Sequence, residues 1–77
     1  MDFDIKQRDS DKVLFTADID CSNQTRQGDK LRFAVKYALK NKINLQDASL
    51  RGANLRYADL QDADLQDTDL QHADLQH

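Results

Sequence analysis

The 77-residue chain contains no proline and no glutamate, a single cysteine (Cys21), and glycine only at positions 28 and 52. A lone cysteine excludes an intramolecular disulfide, and Cys21 is expected to be a partly buried, inert thiol. Two isolated glycines leave no Gly-rich loop to cradle a phosphate. All fourteen acidic residues are aspartate, a side chain that favours turns and caps over long surface helices. No apolar run has the length of a membrane span, and the first twenty residues are too densely charged for a secretory signal. What these absences leave is one small soluble domain, expected in the cytoplasm.

What is present is a period. Leucine returns every fifth residue, at 45, 50, 55, 60, 65, 70 and 75, and two residues before each stands Ile43, Ala48, Ala53, Ala58, Ala63, Thr68 or Ala73. A helix cannot bury this pattern, because five residues at about 100° each overshoot a full turn by about 140° and scatter the leucines around the cylinder. A straight strand fails as well, since an odd repeat sends successive leucines to opposite faces. Within one unit, however, the small residue and the leucine are two apart and share a face. The chain must therefore turn a corner at every repeat, pointing each pair at a common axis, which is a solenoid.

The units, such as Ala58-Asp59-Leu60-Gln61-Asp62, resemble the pentapeptide-repeat family over residues 43–77, with Ile43 and Thr68 as departures from the small first residue. The resemblance implies a mainly β fold, a short right-handed four-sided β-helix in which four pentapeptides make one coil. Seven repeats then place Leu45 under Leu65, Leu50 under Leu70 and Leu55 under Leu75, at the strand spacing of about 4.8 Å.

The rest of the chain reads as a cap on that solenoid. Residues 1–28 are expected to form a β-hairpin and loop: Phe3 and Ile5 alternate with charged residues, Val13, Phe15, Ala17 and Ile19 form the facing apolar row with Leu14 outward, and Arg8–Asp11 is the turn. Residues 29–42 are expected to form the α-helix cap, with Asp29 as N-cap, Leu31, Ala34, Val35, Ala38 and Leu39 as the apolar stripe, and Asn41 as left-handed terminator. The opposite face carries Lys30, Arg32, Lys36 and Lys40 beside Phe33 and Tyr37. A repeat of fewer than two coils leaves most backbone groups without a neighbour, so an end cap is required.

Charge divides the chain. Residues 1–57 hold eleven Lys/Arg against eight Asp, whereas residues 58–77 hold six Asp and no Lys/Arg, so a formal +3 is followed by a formal −6. Stacking would gather Asp47, Asp64 and Asp67 on one side and Asp59 and Asp62 on the adjoining side.

No serine is spaced to pair with a base, and His72 and His77 read as solvated corner residues, so the expectation is a protein that is not an enzyme and binds no metal or cofactor. The candidate partner-binding residues are Asp47, Asp59, Asp62, Asp64, Asp67, Asp69 and Asp74. The family resemblance points to proteins that imitate duplex DNA, and a chain this small suits a phage-encoded inhibitor. The expected function is that of an acidic DNA mimic, an anti-CRISPR protein blocking the DNA-binding channel of an effector complex. A gyrase-type inhibitor and a non-inhibitory scaffold with an acidic surface are the alternatives. The expected partner is a protein with a basic nucleic-acid-binding groove, with neither direct nucleic-acid nor membrane binding, and a homodimer through the last coil is expected because no sequence remains to cover it.

Overall fold

Strand β1 (Asp2–Lys6) and strand β2 (Val13–Asp18) pair antiparallel, with Phe3 opposite Ala17 and Ile5 opposite Phe15, in a computed structural model that describes residues 1–22, 24–56, 60 and 65–75. Alternation holds along β1, where Ile5 is buried between exposed Asp4 and Lys6. It breaks in β2, because a register shift at Ile5/Lys6 sets Lys6 opposite Val13. The bulge leaves Leu14 as the extra residue and resets the faces beyond it. Val13, expected inward, is therefore exposed, and Leu14, expected outward, packs against the core. The turn is tied by Ser10, whose hydroxyl donates to Gln7 Oε1 at 3.0 Å and accepts the Lys12 N–H at 3.2 Å.

Helix α1 spans Gln27–Lys40, beginning earlier than the sequence pattern indicates. Arg26 occupies the N-cap position without a side-chain cap, so Asp29 lies in the first turn and is not the cap. There its charge suits the positive end of the helix dipole, and its Oδ1 accepts the Asn54 Nδ2–H at 2.9 Å. The start is fixed by docking: the Gly28 carbonyl accepts the Asn54 N–H at 3.0 Å, and a Cβ on Gly28 would stand 2.7 Å from the Gly52 carbonyl oxygen. At the other end Asn41 is not left-handed (φ −99°), and Lys42 takes that conformation instead (φ 57°). The Ile43 N–H reaches Ala38 O at 2.8 Å and the Lys42 N–H reaches Leu39 O at 3.4 Å. This is the Schellman closure, which places the left-handed residue just past the cap.

From Ile43 the chain returns over itself every 20 residues. Ser49 bridges Asp69 and Asn54 bridges Asp74, both in parallel. Leu50 and Leu55 donate their N–H groups to Asp69 O and Asp74 O at 2.9 and 2.8 Å, and Asp69 and Asp74 donate theirs to Ala48 O and Ala53 O, both at 2.9 Å. Residues 43–56 thus form a first layer and 65–75 a second. These are isolated bridges rather than strands, because each five-residue unit spends two residues on its corner. Each described corner is closed by an N–H to C=O bond across three residues, from Ala48 to Leu45, Ala53 to Leu50, Thr68 to Leu65 and Ala73 to Leu70, at 3.0–3.1 Å. The fifth residue of each unit with a described corner is left-handed: Asp47 (φ 64°), Gly52 (φ 74°), Asp67 (φ 60°) and His72 (φ 62°). A turn whose third residue alone has positive φ is type II, which favours glycine or a side chain that tolerates that region.

Hairpin, helix and first layer share one core. Ile5, Ala17 and Ile19 meet Leu31, Ala34, Val35 and Ala38, and beneath them lie Leu45, Ala48, Leu50, Ala53 and Leu55. Strand β1 runs on into the first layer, with Gln7 bridging Ala48 antiparallel. The Ser49 N–H donates to Lys6 O and the Arg8 N–H to Asp47 O, each at 2.8 Å.

Candidate acidic interface

Two positions in each repeat carry the aspartates, and the local geometry gives each a structural task. The second residue folds its side chain back onto the N–H two residues later: Asn44 Oδ1 accepts from Gln46 at 2.8 Å, Asn54 Oδ1 from Arg56 at 3.3 Å and Asp69 Oδ1 from Gln71 at 3.1 Å. This Asx-type bond leads the chain into its corner, and Asn or Asp serves equally. The fifth residue supplies the left-handed corner itself. Aspartate is thus placed by backbone demand before any partner is considered.

The candidate residues fall into three groups. Asp69 and Asp74 are engaged by arginines of the first layer, with Arg51 Nη2 3.2 Å from Asp69 Oδ2 and Arg56 Nε 3.7 Å from Asp74 Oδ2. The Asp69 side chain is only 11% exposed, so it has little to offer a partner. Asp47 and Asp67 are corner residues one layer apart, and the Asp47 N–H donates to Gln66 O at 3.2 Å. Asp67 is exposed and Asp47 half-buried. Asp59, Asp62 and Asp64 lie outside the described residues, so the expected grouping with Asp47 and Asp67 rests on the repeat register alone. His77 also lies outside them, and His72 is an exposed corner residue.

A cation that the sequence pattern did not flag stands at the Asp47 and Asp67 corner. Arg8 donates from Nη1 to the Asp67 carbonyl at 2.9 Å while its Nε lies 3.3 Å from Asp9 Oδ2. Nothing local marks Arg8 for this, since it belongs to the hairpin turn and reaches the second layer only because β1 pairs with residues 47–49. Thr68, one of the two departures from the repeat pattern, donates its hydroxyl to Leu45 O at 3.0 Å and so ties the layers together.

A groove of mixed charge lies against α1. Phe33, Tyr37, Lys36 and Lys40 from α1 face Asp18, the last residue of β2, and Ile19 and Asp20 just after it, around a cavity of about 330 Å³. Ile19 is buried, Phe33 and Tyr37 are half-buried, and the two lysines are exposed, so an apolar floor lies beneath a charged rim. Among the described residues no group of three or more His, Cys, Asp or Glu could hold a metal ion. Cys21 is half-buried with its Sγ 3.5 Å from Met1 Sδ. Among the described residues no helix is long and apolar enough to cross a membrane.

Residues 43–77 match the family model described as pentapeptide repeats in eight copies, and the matched stretch holds seven leucine-centred units of this chain. No curated protein and no solved structure matches the chain significantly.

Proposed function

Since the chain is a pentapeptide-repeat protein, we propose that it is a non-catalytic binding protein whose repeats wind as a short right-handed four-sided β-helix and present phosphate-like charge to a basic groove. The observation that carries this is the composition of residues 58–77, six aspartates with no lysine or arginine in the segment itself. Among the described ion pairs Arg51 meets Asp69 and Arg56 meets Asp74. Asp59, Asp62, Asp64 and Asp67 are then the residues that meet the partner, with Asp47 beside them. Duplex DNA carries one charge per about 1.7 Å of axis, and residues 59–67 bring four acids into nine residues of sequence.

The partner of this reading is a nucleic-acid-binding complex in the cytoplasm of a host cell. A CRISPR effector inhibited by a phage-encoded protein is the specific form, and a gyrase-type topoisomerase the next. A scaffold reading is favoured by a different observation, that Asp69 and Asp74 serve the repeats' own layer-to-layer pairing. It assigns the acids to solubility and folding alone.

The test replaces Asp59, Asp62, Asp64 and Asp67 together by asparagine, which removes four charges and is as able as aspartate to form Asx bonds and to adopt the left-handed region. Lysine would confuse the outcome by straining the corner at Asp67. Binding of parent and variant to a purified CRISPR effector complex and to DNA gyrase is measured with increasing salt and with duplex DNA as competitor. The mimic reading expects salt-sensitive binding to one of them, displaced by DNA and lost in the folded variant. A folded variant that binds as the parent does would reject it, and binding to neither complex would reject both named targets.

A further inference from the structure

The hairpin has two edges, and only one of them is guarded. We propose that the free edge of β2 pairs antiparallel with the β2 edge of a second copy, joining two hairpins into one four-stranded sheet about a two-fold axis. This goes beyond the reading above, since it needs no foreign partner and no acid of the repeats.

Which groups face outward follows from the ladder. The Met1 ammonium donates to Ile19 O and the Ile19 N–H to Met1 O, both at 2.9 Å. Doubly bonded pairs alternate along an antiparallel ladder, so Ala17 and Phe15 also face β1, and the N–H and C=O groups of Thr16 and Asp18 turn away from it. No described residue bonds them. After Ile19 the chain crosses toward the start of β1, where Cys21 Sγ lies 3.5 Å from Met1 Sδ, and so leaves the edge uncovered. The outer edge of β1 is different. Its Lys6 carbonyl accepts the Ser49 N–H, and Asp2, Asp4 and Lys6 put a charge on every second residue, a common protection of sheet edges. In β2 residues 13–17 are all uncharged, and the register shift precedes Phe15, so the edge from there to Ile19 is regular.

The edge and the groove beside it both fit a second β2. With Ala17 on the axis, Thr16 of each copy stands opposite Asp18 of the other, and their outward backbone groups satisfy one another. The same register sets Phe15 of one copy opposite Ile19 of the other on the core face, where Ile19, Phe33 and Tyr37 floor the groove. Phe15, half-buried in the single chain, thus gains an apolar seat. At each end Lys12 of one copy comes to Asp20 of the other. Both side chains are exposed, and neither makes an ion pair among the described residues. A parallel pairing would set like charges together instead. Growth stops at two copies, because the new outer edges are the guarded β1 strands.

The experiment is sedimentation and light scattering of the parent, Thr16→Pro, Lys12→Asp, Asp20→Lys and Leu75→Asp, with circular dichroism to check folding. The parent is expected to dimerise and go no further. Thr16→Pro removes an outward N–H from each copy and is expected to weaken the dimer at least about tenfold. Should it not fold, the two charge variants carry the test, since both alter exposed side chains. Each alone places like charges at both ends of the pair and is expected to weaken it several-fold at low salt, although Asp20→Lys brings the formal net charge from −3 nearer zero. An equal mixture of the two restores opposite charges at both ends, so native mass spectrometry is expected to show the mixed dimer dominant. Leu75→Asp is expected to dimerise like the parent. A parent that stays monomeric at high concentration overturns the proposal and leaves the edge to a strand of a different protein. A folded Thr16→Pro that dimerises like the parent overturns it too, as does a mixture without preference for the mixed dimer. A dimer lost in Leu75→Asp would point to the last coil and would equally overturn it. No target enters these measurements, so their failure is separate from that of the mimic reading, which is decided by the asparagine variant.

Discussion

The two layers of repeats are built from nearly the same five-residue unit, yet they are buried very differently. Leu45, Leu50 and Leu55 of the first layer are 1%, 0% and 2% exposed, whereas Leu65 and Leu70 of the second are half-buried and Leu75 is exposed. The difference is one of neighbours. The first layer has the second on one side and the hairpin and helix on the other, and its backbone is bonded on both: Ser49 and Asn54 pair forward with Asp69 and Asp74, and backward with Lys6 and Gly28. Identical side chains thus acquire a core only where two surfaces close over them, as expected of a solenoid whose units interact with nearest neighbours alone.

The largest expected effect tests that difference directly. Leu50→Ala empties a closed site and is expected to cost about 2–5 kcal/mol, whereas Leu75→Ala removes a side chain that is already 44% exposed and is expected to cost under about 1 kcal/mol. Thermal or denaturant unfolding measures both. Equal losses would mean that the second layer is covered in solution, as a symmetric pairing through the last coil would produce, and the Leu75 loss would then grow with protein concentration.

Much of this comparison is legible in the chain before folding. The five-residue spacing of leucine places the repeats, and the apolar stripe Leu31, Ala34, Val35 and Ala38 places the helix and its buried face. What escapes is whatever tertiary contact decides. The helix starts at Gln27 because Gly28 docks on Gly52 and Asn54, a contact 24 and more residues away that no capping pattern carries. Val13 and Leu14 exchange faces because of a bulge. Composition also reveals the acids of the candidate interface but not their employment. Gln71 and Arg51 claim the Asp69 carboxylate, and the left-handed corner accounts for Asp67, through geometry that becomes visible only once the layers stack.

A smaller effect is expected where the cap meets the first layer. Gly28→Ala places a methyl 2.7 Å from the backbone oxygen of Gly52, so the helix must move off the repeats. Alanine improves helix propensity by at most about 1 kcal/mol, while forced displacement in a packed contact costs about 1–3 kcal/mol. A net destabilisation, seen as a lower Tm, is the expected result, and a higher Tm would show that docking at Gly28 contributes little to the cap.

Gly52→Ala isolates the corner from the packing. Nothing lies within 4 Å of a Cβ built there, but φ is 74°, so the cost is conformational alone, about 1–2 kcal/mol. Gly52→Asn is expected to cost less, because asparagine tolerates the left-handed region as Asp47 and Asp67 do. If alanine and asparagine lower the Tm equally, the preference for aspartate at the fifth position is not a matter of backbone conformation, and its charge becomes the better explanation.

The smallest effect is expected from the link between the layers. Arg51 reaches from the first layer to Asp69 in the second, at 3.2 Å, with the Arg51 side chain 59% exposed. Water screens a pair of this exposure, so its coupling energy is expected at about 0.2–1 kcal/mol and to shrink with salt. A double-mutant cycle with Arg51→Met and Asp69→Asn measures it, because asparagine keeps the acceptor for the Gln71 N–H and removes only the charge. The single change Asp69→Asn is expected to be nearly silent at high salt, whereas Asp69→Ala also forfeits the bond that leads into the corner, a further loss of about 1 kcal/mol. If the coupling instead exceeded about 2 kcal/mol, the layers would be held by charge as much as by leucine. The second layer's looser burial would then be balanced by its ion pairs, and Asp69 would owe its place to Arg51 and not to the turn.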